Sequence, residues 1–157
     1  ARPADGLARI IGDYFDVPAS VEQFIGEWRQ LDSGGQCALG LEGDAGRLGF
    51  GVIGDAVWDP QARVRVRLGP LTREQFESFI PGGSAHDALR TLARLYADDI
   101  VGVDVQLVLT RREVKPCVLD VPTDGPGGRR GPGLGRGTWL ASRPLSRDPD
   151  ETTLRLC

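Results

Sequence analysis

Methionine is missing from all 157 residues, and histidine and lysine occur once each, as His86 and Lys115. His86 follows a helix start and has no second ligand or nucleophile at any motif spacing, which favours a solvated side chain over a catalytic one. Cysteine is scarce too. Cys37, Cys117 and Cys157 are too few and too scattered for a disulfide framework or a four-ligand zinc site, and they suit a reducing, cytoplasmic setting. No apolar run approaches the ~20 residues of a membrane-spanning helix, and no basic segment followed by an apolar one opens the chain as a secretion signal would. With no initiator methionine, the expectation is a fragment or a processed product.

The residues present suit a single domain spanning 1–157, long enough to bury roughly 70% of its unfolded surface. Hydrophobic residues make up 40% and charged residues 26%, ordinary values for a globular chain. The net charge of −3 is unevenly spread: residues 1–62 carry −6, 63–110 balance, 111–147 carry +5 and 148–157 carry −2. Such asymmetry suits a complementary protein surface, whereas a pI near 5.2 gives nucleic-acid binding little support.

Hydrophobic spacing predicts a helix over 5–16, capped by Asp5, with Leu7, Ile10, Ile11, Tyr14 and Phe15 on one face; Asp16-Val17-Pro18 ends it. "SVEQFIGEW" (20–28) reads as one strand with Phe24 and Trp28 on a shared face. "RVRVRL" (63–68) alternates Val64, Val66 and Leu68 against three arginines, and Gly69-Pro70 is expected to break it. Thr72 and Gln75 form a capping box before Phe76, Phe79 and Ile80. Ser84 and Asp87 then open a helix with Leu89, Leu92, Ala93 and Tyr96 on its apolar face. "VGVDVQLVLT" (101–110) is the clearest strand, and "TWLA" (138–141) and "TTLRL" (152–156) read as closing strands. The order implies an α+β fold: a small mixed or antiparallel sheet, about three helices, and loop extensions near 33–58 and 120–137.

"GFGVIG" (49–54) matches the G-x-G-x-x-G pattern of dinucleotide sites, which works only between a strand and a helix N-terminus. Pro60 arrives six residues later, too soon for that helix. A nucleotide-binding or transferase domain is therefore the weaker reading. A hairpin or extended loop fits better, with Leu39/Leu41 and Leu48/Phe50 flanking a turn at 42–46. It is too apolar for a solvated linker, so it packs either on its own domain or on a partner. In the second case Leu48, Phe50, Val52, Ile53, Val57 and Trp58 are the anchors.

The Arg63/Arg65/Arg67 row can meet an anionic surface, or pair with Asp104 across neighbouring strands; the pairing is favoured. Arg129, Arg130 and Arg136 sit in a Gly/Pro-rich loop with no local acid to neutralise them, which suits an acidic partner or disorder. Asp98-Asp99 ends a helix against its dipole, as a solvated turn more readily than a functional pair. Nothing here supports catalysis, a metal or a cofactor.

Four stretches, "YFDVPASVEQFIGEWRQL", "VWDPQARVRVRLGPLTREQFESFIPGG", "DVQLVL" and "LGRGTWL", resemble in order the C-terminal half of the TssG (ImpH/VasB) family, baseplate wedge subunits of bacterial type VI secretion systems. The run from Trp58 to Gly83, with W-D-x-Q, R-x-R-L-G-P-L and F-x-x-F-x-P-G-G, is the most specific part. Family members are longer, and the loop 122–133 here is richer in Gly, Pro and Arg. The resemblance implies a non-catalytic scaffold joining TssF-like subunits, beside a TssE-like protein. It further implies extended loops holding TssK-like trimers, with assembly in the cytoplasm at the inner membrane. It implies no cofactor, nucleic acid, membrane insertion or small-molecule substrate. A generic soluble adaptor of the same α+β class is the bland alternative.

Overall fold

The computed structural model describes residues 3–37, 51–98, 101–117, 137–140 and 145–157. Helix α1 (Ala4–Phe15) begins one residue earlier than the spacing predicts, so Asp5 lies in its first turn as a helix-dipole carboxylate, not at the cap. Asp16 closes the helix in the left-handed conformation, and the chain enters β1 (Ala19–Glu22). After β2 (Glu27–Gln30) and β3 (Ala56–Asp59) comes β4 (Arg63–Leu71). Two helices, α2 (Arg73–Phe79) and α3 (His86–Ala97), lead to β5 (Gly102–Leu109), and β6 (Thr152–Arg155) closes the order.

The main sheet has the order β1-β4-β5-β6, with β4 and β5 parallel and both outer pairs antiparallel. The parallel pair needs a crossover, which α2 and α3 supply. Their apolar residues Phe76, Phe79, Leu89 and Ala93 join Leu7 and Ile11 of α1 in one core with Val66, Leu68, Val103, Val105 and Leu107. Phe15 meets Phe79 edge-on at 5.0 Å, and the Tyr96 hydroxyl donates to the Pro3 carbonyl at 2.7 Å. The expected α+β class holds: three helices and a mixed sheet, plus a separate two-stranded sheet of β2 and β3.

Rows across the sheet explain the alternation in β4. Val21, Val66, Val105 and Leu154 lie abreast, and the neighbouring row is Glu22, Arg65, Asp104 and Arg155, whose signs alternate. Opposite charges facing across strands contribute ~0.2–1 kcal/mol per pair. Arg67 likewise reaches Asp150 at 3.4 Å.

Several expectations need correction. The segment 20–28 is not one strand: Phe24 (φ 64°) and Gly26 (φ 73°) turn left-handed, so Ala19–Glu22 stays in the main sheet while Glu27–Gln30 leaves it. Gly69-Pro70 does not end β4, which runs to Leu71 with a register shift against β5. Proline is tolerated there because β1 pairs only with Arg65–Leu68, so Pro70 has no β1 neighbour awaiting its missing N–H. The third helix starts at His86 after Ala85, with no side-chain cap from Ser84. Its start is tied instead by the His86 ring, half-buried, whose Nδ1–H donates to the Phe79 carbonyl at 2.9 Å. "TWLA" contributes only an isolated bridge between Trp139 and Pro116, with Trp139 against Phe76 at 5.7 Å.

Gly69 has φ 128°, and a Cβ there would stand 2.5 Å from the Val108 carbonyl oxygen. Gly69→Ala is therefore expected to lower stability by about 1–3 kcal/mol, seen as a lower urea midpoint at unchanged slope.

Candidate interaction surface

Two short segments with related patterns, "EWRQ" and "AVWD", leave the main sheet and pair only with each other. Their antiparallel register sets Trp28 opposite Trp58 and Glu27 opposite Asp59. On the tryptophan face the two indoles meet edge-on with centroids 5.6 Å apart. On the other, Arg29 Nε approaches Asp59 Oδ2 at 3.2 Å. Gly26 lies directly under the Trp58 ring, where any Cβ would collide with the indole. Glycine is thus required twice at this position, for its positive φ and for the close approach.

The pairing continues beyond the strands. Leu31 N donates to the Asp55 carbonyl at 2.8 Å and Cys37 N to the Val52 carbonyl at 2.9 Å. Between these points the chain turns at 32–35, with Gly35 N donating to Asp32 Oδ1 at 3.0 Å. We call this two-stranded projection the arm. Among the described residues the only extensive packing of β2 and β3 is on each other; side-chain bonds from Glu27 tie the base of β2 to the main sheet.

Six of the ten large exposed hydrophobic side chains among the described residues lie in or beside the arm: Phe24, Trp28, Val52, Ile53, Val57 and Trp58. Scattered single exposures are normal on a protein surface; this concentration on one projection is not scattered. Trp28 is 64% exposed and Ile53 93%, so their apolar surface faces solvent in the isolated chain.

Of the anchors expected from sequence, Val52, Ile53, Val57 and Trp58 are thus exposed on this projection, Trp58 and Val57 within β3 and the other two just before it. Leu48, Phe50, Arg129, Arg130 and Arg136 lie outside the described residues, as do the turn at 42–46 and Asp99. Trp28 and Phe24 are absent from the anchors expected from sequence, because 20–28 read as one strand gives no sign that the chain leaves one sheet for another. The usable signal was Gly26 followed by a second tryptophan-centred strand, which marks a chain leaving one sheet for another.

The arm's base is held by charge. Arg63, whose side chain is 7% exposed, donates from Nε (3.2 Å) and Nη2 (2.5 Å) to Asp104 Oδ1, from Nη2 to the Cys157 carbonyl (3.2 Å), and from Nη1 to Glu27 Oε2 (3.0 Å). Glu27 Oε1 accepts from Arg155 Nη2 at 2.9 Å. The Arg63 hydrogen bond, helped by the charge of Arg155, holds the Glu27 carboxyl below its ordinary range despite some desolvation. The bonds from Asp104 hold the Arg63 guanidinium above its own. Gly102 gives the guanidinium room, since a Cβ there would stand 2.8 Å from Nη1. Arg63, Arg65 and Arg67 each meet a carboxylate, so this row is structural.

The GFGVIG reading fails on geometry. Gly54 is followed by strand β3, not by a helix N-terminus, so the phosphate-binding element is replaced by a strand. A depression of 370 Å³ is bounded by Thr110, Arg111, Arg112, Arg147 and Asp148, with no histidine or cysteine in its lining. Among the described residues no three metal-ligating side chains come together, and no helix is long and apolar enough to cross a membrane.

Comparison with known proteins gives the arrangement a context. The fold matches a chain of the type VI secretion TssK-TssF-TssG baseplate subcomplex solved by cryo-electron microscopy, with a TM-score of 0.65 at 21% identity, over 99% of this chain and 62% of that one. It also matches a chain of the baseplate complex from the type VI secretion system, with a TM-score of 0.59 at 17% identity, over 99% of this chain and 42% of that one. These matches show a common fold, and this chain spans less than two thirds of either relative's length. No curated protein matches. Residues 1–141 match the family model described as "Type VI secretion, TssG". That match extends over most of the sequence, including both strands of the arm and strands β1, β4 and β5 of the sheet that carries it, and the chain belongs to the TssG family of type VI secretion.

Proposed function

We propose that this chain is a non-catalytic scaffold of the baseplate wedge, which joins TssF-like subunits and docks TssK-like trimers through the arm and the segment it leads into. The observation carrying this reading is the Trp28–Trp58 face, an exposed apolar surface on a projection whose strands pack extensively only on each other among the described residues. The presence of TssK and TssF in the subcomplex whose chain shares this fold supports both partners. Buried aromatic anchors supply a large share of interface energy, and paired indoles offer large rigid area at small entropic cost. A TssE-like neighbour and a place at the cytoplasmic face of the inner membrane complete the proposal. Arg129, Arg130 and Arg136, within the basic stretch 111–147, are assigned to an acidic partner surface.

Co-expression of the tagged chain with the TssK-type and TssF-type proteins of its own gene cluster tests this. The intact chain is expected to capture both. A Trp28→Ala/Trp58→Ala double variant is expected to weaken TssK-type binding by at least ~30-fold, the size of one hot spot, while TssF-type capture persists. Deletion of 43–56 and Phe50→Asp are expected to act in the same direction. Folded variants that capture the TssK-type protein as well as the parent does would overturn the docking role.

A further inference from the structure

The arm joins the body through few links. On entry, Phe24 and Gly26 turn the chain outward and Ile25 N donates to the Arg63 carbonyl at 3.2 Å. On return, Asp59 accepts from Gln61 N at 3.0 Å and its carbonyl accepts from Ala62 N at 3.3 Å. Both connections are turns, and neither fixes the angle between the small sheet and the large one.

Glu27 does. It is the first residue of β2, and its two oxygens are divided between strands of the main sheet, Oε2 to Arg63 in β4 and Oε1 to Arg155 in β6. Two contacts from one planar group to two separate strands define a direction, where a single contact would leave a swivel. The Arg63 end is itself immobilised, because Asp104 and the Cys157 carbonyl hold the same guanidinium. Arg155 ends the alternating row Glu22–Arg65–Asp104–Arg155, and Glu27 adds the next negative charge beyond it.

We propose that Glu27 is a positioning residue for partner docking: it locks the angle of the arm by bridging Arg63 and Arg155, so that the Trp28–Trp58 face is presented already oriented. The role follows from leverage. At about 3.3 Å per residue, a tilt of roughly 20° at the base moves a point about 15 Å along the arm by about 5 Å. Preorganised interfaces shift by only about 1 Å between free and bound states. An unlocked arm must be ordered during binding, and affinity falls by that cost. The inference rests on the arm as the docking element, but the angle can be measured with no partner present.

The test places spin labels at Asp55→Cys on the arm and Arg90→Cys on α3, both exposed sites, with Cys37, Cys117 and Cys157 replaced by serine. The Glu27 parent is expected to give one narrow distance distribution. Glu27→Ala is expected to broaden it at least twofold, while the near-ultraviolet signal of the tryptophan pair is unchanged because β2 and β3 stay paired. TssK-type capture should fall about tenfold with TssF-type capture intact. Should Glu27→Ala fail to fold, Arg155→Ala decides, since that side chain is 71% exposed and its loss removes only the outer contact; it too should broaden the distribution. A distribution as narrow as the parent's in a folded variant overturns the lock. Broadening with undiminished capture upholds the lock on the arm's angle but overturns its role in docking, whereas the arm's place as the docking element is decided separately by the Trp28→Ala/Trp58→Ala variant.

Discussion

Asp104→Ala is expected to lower the unfolding free energy by about 3–5 kcal/mol. The Arg63 and Asp104 side chains are 7% and 10% exposed, so neither charge can turn to water when its partner is removed. Asp104 Oδ1 takes two of the four hydrogen bonds that Arg63 makes. Losing the carboxylate leaves a buried guanidinium supported by Glu27 and one carbonyl. An exposed pair contributes about 0–1 kcal/mol, and the contrast decides the matter: a loss under ~1 kcal/mol in urea titration would mean that Arg63 is solvated. Asp104→Leu with Arg63→Met is expected to recover most of the loss, because apolar replacement of a whole buried pair is often neutral. That double variant should still widen the arm's angular distribution, since Glu27 then keeps only Arg155.

Phe79→Ala is expected to cost about 3–5 kcal/mol as well, by a different route. Phe79 is 2% exposed, ends α2, packs edge-on against Phe15 of α1, and lends its carbonyl to the His86 ring at the start of α3. Truncation opens a cavity where three helices meet and removes an aromatic contact of about 0.5–1.5 kcal/mol. For a chain of this size the melting temperature should drop by roughly 6–20 °C. Phe79→Leu, which keeps most of the volume, should cost clearly less, and equal losses for the two would mean that the site is not close-packed.

The elements that could be read from sequence are those whose local signals agree with their tertiary use. The capping box at Thr72 and Gln75 forms as the residue types require, and β5 shows its alternation because one face is core. The β4 arginines were legible as a row, but not as one buried clamp and two surface pairs, because burial of Arg63 depends on Gly102 and on carboxylates 36 and 41 residues away in sequence. The switch between sheets at 23–26 was illegible for a local reason: Phe24 adopts a left-handed conformation that its residue type seldom takes. Once that switch is missed, Trp28 is grouped with Phe24 on one strand and its pairing with Trp58 vanishes from view. After Gly54 the sequence leaves no room for a helix before Pro60, and a strand follows there. What the GFGVIG glycines serve at Gly51 and Gly54 is backbone with φ of 76° and 115°, before the strand that carries Trp58.

The strand order β1-β4-β5-β6 also sets a timetable for synthesis. β5 leaves the ribosome with β4 already available as its parallel neighbour, yet its other edge waits for β6. At about 5–20 residues per second, translating from Leu109 to Thr152 takes roughly 2–9 s. Throughout that interval Val103, Val105 and Leu107 belong to an open edge, the kind of unpaired strand that invites wrong pairing. The same interval leaves Arg63 without the Cys157 carbonyl and Glu27 without Arg155, so under the proposed role of Glu27 the arm acquires its set direction only as β6 docks. On that reading an oriented arm is not presented before the sheet is complete, and completion of the sheet comes before docking.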